Sequence, residues 1–260
     1  MTVIDEPNIS KAWSKVFQLS LDPSVENFSP VMLTTTGVSV DRIDEDAQIR
    51  DLLNQSLIAN GESSVDTVAN TIFPVTLWNR NLPRNRLYER YLEYAWPRVR
   101  KCPANIRGTY FQRFIAYDLD VKESVTAQET VNQLEHVIET WNTRKNHRKS
   151  ALQLSVFDPT RDHKHNRQLG FPCLHQVAFT PLGANGKDGL AVTGFYATQT
   201  LFEKAYGNYL GLCRLGQFVA HELDLPFVRM TCIAALLKPT GGNNGVLRSL
   251  KQRLSSLGEY

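Results

Sequence analysis

Apolar residues recur at helical spacing in several stretches of the chain. Between Asp44 and Asn60, Ile49, Leu52, Leu53, Leu57 and Ile58 line up on one face, which predicts an amphipathic helix closed by Asn60-Gly61. Ser63 to Asn70 predicts a second, short helix running into Thr71-Ile72-Phe73-Pro74. From Arg84 to Arg100, Leu87, Tyr88, Tyr91, Leu92 and Ala95 form an aromatic-rich face whose plain role is core packing. Thr126 to Arg144 repeats the pattern through Val131, Leu134, Val137, Ile138 and Trp141. The longest stretch, Leu201 to Leu223, carries Leu201, Ala205, Tyr209, Leu212, Leu215, Val219 and Leu223 on one side, and Val246 to Leu257 predicts a terminal helix.

Strand patterns sit between these helices. Leu152 to Phe157 alternates and stops at Asp158-Pro159-Thr160. Cys173 to Phe179, a turn over Pro181–Gly189 and Leu190 to Tyr196 predict an antiparallel pair, and the almost wholly apolar Val228 to Leu237 predicts a central strand. Residues 1–40, with Pro23, Pro30 and the Thr34-Thr35-Thr36-Gly37 turn, predict an N-terminal arm or a strand pair. Arg107-Gly108-Thr109-Tyr110-Phe111-Gln112-Arg113-Phe114 predicts a glycine-started strand or turn carrying two arginines. No repeat, linker or low-complexity segment divides the chain, so a single α+β domain over residues 1–260 is the simplest expectation.

Composition adds limits. With 42% apolar and 21% charged residues, 260 residues suffice to bury a sizeable core. A formal charge of +3 is too small to argue for nucleic acid. No apolar run approaches the ~20 residues of a membrane span, and the first ten residues lack a signal-peptide core, so a cytoplasmic location and no membrane partner are expected. Cys102, Cys213, Cys232 and Cys173 lie far apart with no Cys-x-x-Cys pair. That excludes a common zinc ribbon and suggests reduced thiols.

Cys173 is the centre of the candidate chemistry. It follows Pro172, opens a strand and comes after a loop holding Arg161, His163, Lys164, His165 and Arg167. A thiol beside cations is a candidate nucleophile. The plainer reading of a free cysteine, a small buried apolar residue, is kept for the other three. The run Arg144–Lys149 follows a helix C-terminus, where cations complement the helix dipole, and anion binding is the alternative. His163 and His165, with Asp162 and His175, have the look of a metal set, although their spacing is that of a solvated loop. Gly207-Asn208 inside a long helix is unusual because both are poor helix formers, which marks a helix interruption or a site. Gly241–Gly245 lacks the Lys-Ser/Thr of a phosphate-binding loop.

Four segments, in order, resemble the thymidylate synthase and pyrimidine hydroxymethylase superfamily. Gly108-Thr109-Tyr110-Phe111-Gln112-Arg113 resembles its aromatic-glycine-arginine segment. Leu154-Ser155-Val156-Phe157-Asp158 resembles the strand before the nucleophile loop, and Pro172-Cys173-Leu174 the Pro-Cys nucleophile motif. Tyr206-Gly207-Asn208-Tyr209-Leu210-Gly211-Leu212 resembles the helix bearing the pyrimidine-orienting asparagine. The set covers residues 105–237. It implies a thymidylate synthase-like fold whose large mixed sheet dimerises through one face, and a pyrimidine nucleotide or nucleoside as substrate. It also implies methylene-tetrahydrofolate as the donor of a methyl or hydroxymethyl group to C5. Cys173 would add to C6 of the ring, Asn208 would read the base, and His175 would share a strand face with the thiol. Arg148, Arg161, Arg167, Arg113 and Tyr110 are the candidate substrate and phosphate contacts. The apolar strands at Leu152, Val177 and Val192 are compatible with a buried dimer face.

The chain also departs from that pattern. Where the family strand ends in Arg-Ser-x-Asp, this one reads Ala197-Thr198-Gln199-Thr200, and Thr231-Cys232-Ile233-Ala234-Ala235 lacks the sugar-reading His-x-Tyr. The stretch Phe73–Trp78 has the tryptophan but no catalytic glutamate nearby, and the paired arginines are displaced to Arg148 and Lys149. Loss of an arginine-phosphate pair removes a strong bidentate contact. Two further expectations therefore stand beside the enzyme: a nucleotide-binding or regulatory protein without chemistry, and nucleic-acid binding through Arg144–Arg167.

Overall fold

The computed structural model describes residues 1–25, 28–105, 107–118, 131–143, 148–163, 172–240 and 244–257. In chain order the elements are β1 (Thr2–Glu6), α1 (Ile9–Ser20), β2 (Val31–Thr35), α2 (Ala47–Ala59), α3 (Val65–Ile72), α4 (Asn85–Arg90), α5 (Trp96–Val99), α6 (Tyr110–Ile115), α7 (Gln133–Thr143), β3 (Gln153–Ser155), α8 (Pro159–Asp162), β4 (Leu174–Pro181), β5 (Leu190–Thr200), α9 (Tyr206–Glu222), β6 (Phe227–Lys238) and α10 (Asn244–Ser255). A π-helical turn, Tyr91–Ala95, joins α4 to α5, and another, Leu201–Ala205, leads into α9.

The six strands form one mixed sheet in the order β1-β2-β6-β5-β4-β3. The β4–β5 hairpin is antiparallel, as its pattern predicts, and β6 is an interior strand running parallel to β5 through the α9 crossover. Helix α9 packs on β5 and β6, and α3 and α1 pack on α9. Fourteen of its seventeen residues are buried, which is what a helix between two layers requires. An α+β fold with a six-stranded mixed sheet is thus established.

Residues 1–40 contain more than a strand pair. Both strands are present and parallel, and between them α1 buries Ile9, Ala12, Trp13, Val16 and Phe17, with Asn8 as its cap. The segment after Gly108 is a helix, α6, and not a strand. Gly108 takes φ +103, and the Thr109 side chain accepts from the Gln112 N–H to start the helix.

The sheet's two faces differ. Leu152, Val177 and Val192, the residues expected to mark a dimer face, belong to the core beneath the helices. The other face carries Val3, Met32, Ile233, Phe195, Gln176 and Ser155 as one lateral row across all six strands. Val3 is 51% and Phe195 39% exposed. No described helix is long and apolar enough to cross a membrane.

Candidate active site

A cavity of about 390 Å³ opens at the carboxyl ends of the parallel strands β5 and β6, where ligands commonly bind in open sheets with helical crossovers. Its walls come largely from α3 (Thr67, Val68, Thr71), from eight residues between Cys102 and Arg113, from Pro172-Cys173, from the end of β5 and from Lys204, Asn208 and Lys238. Among the described residues it therefore brings together Cys173, Asn208, Tyr110 and Arg113, which are separated by up to 98 positions in sequence, from Tyr110 to Asn208.

Cys173 is half-buried immediately before β4. Its carbonyl accepts the Ala197 N–H at 3.1 Å, and the Thr198 hydroxyl lies 3.6 Å from Sγ. Tyr110, on the first turn of α6, meets the backbone of Leu174 and Cys173. Burial, and then the neighbouring thiol, push its phenol well above the ordinary tyrosine range, so it stays a neutral hydroxyl. Two thiols outside the cavity lining are different. Burial raises Cys213 strongly and pushes Cys232 up to about 12, leaving both as inert core residues.

Asn208 reaches the cavity because α9 comes close to α3. A Cβ on Gly207 would stand 2.5 Å from Val68 Cβ and 2.8 Å from the Val65 carbonyl oxygen, and one on Gly211 would stand 2.9 Å from the Ala69 carbonyl oxygen. These glycines do not interrupt the helix; they permit the close approach. Asn208 is only 4% exposed, and its amide has no hydrogen-bond partner among the described residues. The amide is left open to the cavity, where a ligand presenting a donor and an acceptor would satisfy it.

Arg113 lines the cavity, but its charge is already engaged. It makes a bidentate pair with Asp162, Nη2 to Oδ1 at 2.8 Å, and Nη1 also donates to the Val156 carbonyl at 2.6 Å. Both side chains are nearly inaccessible, with 6% and 3% exposure. Burial alone would raise the Asp162 carboxyl. The Arg113 donors and the Asp158 N–H at 2.9 Å outweigh it and hold the group below the ordinary range. Asp162 is therefore the anchor of an arginine, and His165 of the candidate metal set lies outside the described residues.

Three expected site residues lie elsewhere. His175 does not share the thiol's wall, because the β4–β5 register shifts between Leu174 and Gln176 and breaks the two-residue alternation. Its ring stacks on Phe157, centroids 4.9 Å apart, and burial lowers its pKa against the pull of Asp162. Arg161 pairs with Asp158 at 2.6 Å and lies over the Tyr117 ring, outside the cavity lining. Arg148 is exposed before a short 3-10 turn, also away from the lining. Arg167 lies outside the described residues, as do Arg144–His147. Residues not counted from the sequence as candidate contacts also line the wall: Arg107, Thr198, Lys204, Lys238 and Cys102. Two of these carried a signal: Arg107 in the segment with two arginines, and Lys204 four positions before Asn208.

Comparison with known proteins finds no matching family model and no matching curated relative. The cavity's own chemistry therefore carries the functional reading.

Proposed function

We propose that the protein acts at C5 of a pyrimidine nucleotide or nucleoside through a covalent Cys173 adduct at C6. The single observation that carries this is the juxtaposition, in one cavity, of a half-buried thiol and an Asn208 amide with no hydrogen-bond partner among the described residues. Its volume is at the small end of ligand pockets, enough for one nucleotide. An amide offers both a donor and an acceptor, which is the pattern a uracil or cytosine edge needs. The thiolate bonds to C6, the C5–C6 π electrons move into the ring carbonyl as an enolate, and C5 becomes nucleophilic. Protonation at C5 followed by reversal exchanges the C5 hydrogen and restores the free thiol.

One-carbon transfer to C5, methyl or hydroxymethyl, is the reaction the family resemblance adds. The described residues give its donor, methylene-tetrahydrofolate, no evident seat. Trp78 packs edge-on against Phe73, Phe218 and His221 instead of lining the cavity, and no glutamate lines it.

Tritium release from C5-labelled uridine and cytidine nucleotides tests the reading. Cys173→Ser should lower release by about 10³-fold or more while leaving the melting temperature unchanged, since the serine hydroxyl is a far weaker nucleophile. Undiminished release in that variant would sink the proposal. Nucleotide binding without release in the unaltered protein would favour the purely binding role, for which Ala197 and Thr200 speak.

The open sheet face supports a homodimer as part of the same reading. Met32, Ile233 and Phe195 occupy adjacent strands in register, a continuous apolar strip. Phe195→Arg with Ile233→Asp should convert a dimer to a monomer in sedimentation or light scattering. A monomeric unaltered protein would remove this element.

A further inference from the structure

The cavity wall is unbalanced in charge. Arg107, Arg113, Lys204 and Lys238 line it, and no described aspartate or glutamate does. Arg113 is neutralised by Asp162. Lys204 and Lys238 are exposed and have no ion pair or hydrogen bond among the described residues.

The fold places these two lysines at the same end of the β5–β6 pair. Lys238 ends β6 in register with Thr200, the last residue of β5. Lys204 follows on the π-helical turn Leu201–Ala205, a type of distortion frequent at functional sites. That turn is tied to the chain beyond β6 by the Phe202 N–H, which donates to the Pro239 carbonyl at 3.1 Å, and by the Thr240 hydroxyl, which donates to Glu203. Glu203 is the carboxylate adjacent to Lys204, and it lies outside the lining. Thr198 and Thr200 complete the lining at this end.

We propose that Lys204 and Lys238, with the Thr200 hydroxyl, form an oxyanion subsite that receives a phosphate monoester on the ligand. Two ammonium point charges and a hydroxyl match phosphate oxygens without requiring the planar geometry of arginine. The subsite would then stand in for the strand arginine whose place is taken by Ala197. It deepens the pyrimidine reading by selecting nucleotide over nucleoside, and rests on that reading for the base alone.

The test compares uridine and cytidine with their 5′-monophosphates by titration calorimetry, on the full chain and on K204A/K238A. The nucleotides should bind about 100-fold tighter than the nucleosides, the scale of two charge-assisted contacts. The double variant should lose that preference while binding nucleosides unchanged. A preference that survives in the variant overturns the subsite. If none of the four compounds binds, the pyrimidine reading fails, and inorganic phosphate becomes the probe. It should slow alkylation of Cys173 by iodoacetamide, read on the Cys173 peptide, in the unaltered protein and not in K204A/K238A. Equal alkylation with and without phosphate, or protection retained in the variant, overturns the subsite independently.

Discussion

Replacing Asp162 with alanine is expected to cost about 3–5 kcal/mol of stability, the usual penalty for leaving one half of a buried ion pair. For a chain of this size that corresponds to a fall in melting temperature of roughly 10 °C. Without the carboxylate, the Arg113 guanidinium stays buried at 5% exposure with only backbone carbonyls to answer it. The damage should reach the cavity, because Arg113 ties α6, which carries Tyr110, to the Val156 carbonyl just beyond β3.

The pH dependence of the same variant follows from the depressed Asp162 pKa. A carboxyl lowered on folding contributes stability that is complete above its unfolded value, about 4, and is lost as pH falls through the lower folded value. The melting-temperature gap between the unaltered protein and Asp162→Ala should therefore be widest near neutrality and shrink below about pH 4. A gap that stays constant down to pH 2 would show that packing, and not charge, is what the substitution removes.

Much of this architecture is legible in the sequence because it depends on local periodicity. Helix α2, the β4–β5 hairpin, the interior strand β6 and the long helix α9 all follow from repeating apolar positions. The elements that were missed are set by distant partners. Helix α1 hides its periodicity because Ser10 and Ser14 share its buried face, and Ser10 is satisfied there by the Tyr206 hydroxyl at 2.7 Å. Four of the six residues of helix α6 are strand-prone Tyr, Phe or Ile, and its conformation rests on the Thr109 cap and on packing.

The site shows the same division. Cys173 and Asn208 stood out locally, one behind a proline and the other behind a helix glycine. The Arg113–Asp162 pair spans 49 positions and has no local signature, so Asp162 read as a loop residue. A single register shift in β4 was enough to remove His175 from the wall, because alternation predicts a face only while the ladder is regular. Lys238 entered through the pairing of β5 with β6, which sequence order alone does not reveal.

The double substitution Gly207→Ala, Gly211→Ala is expected to destabilise the protein by about 2 kcal/mol, against the direction that helix propensity alone would give. Alanine stabilises a helix interior by about 1 kcal/mol per glycine replaced. Here each new methyl meets atoms of α3 under 3.0 Å away, including the backbone carbonyls of Val65 and Ala69, which cannot swing aside. Overpacking of this kind costs about 1–3 kcal/mol per site and should exceed the propensity gain. The strain can be relieved only by moving α3 away from α9, and α3 supplies Thr67, Val68 and Thr71 to the cavity opposite Asn208. Thermal unfolding should therefore show a lower melting temperature together with weaker ligand binding at Asn208. A higher melting temperature with unchanged binding would mean that α3 retreats freely, and that the close approach of the two helices is not what places the amide.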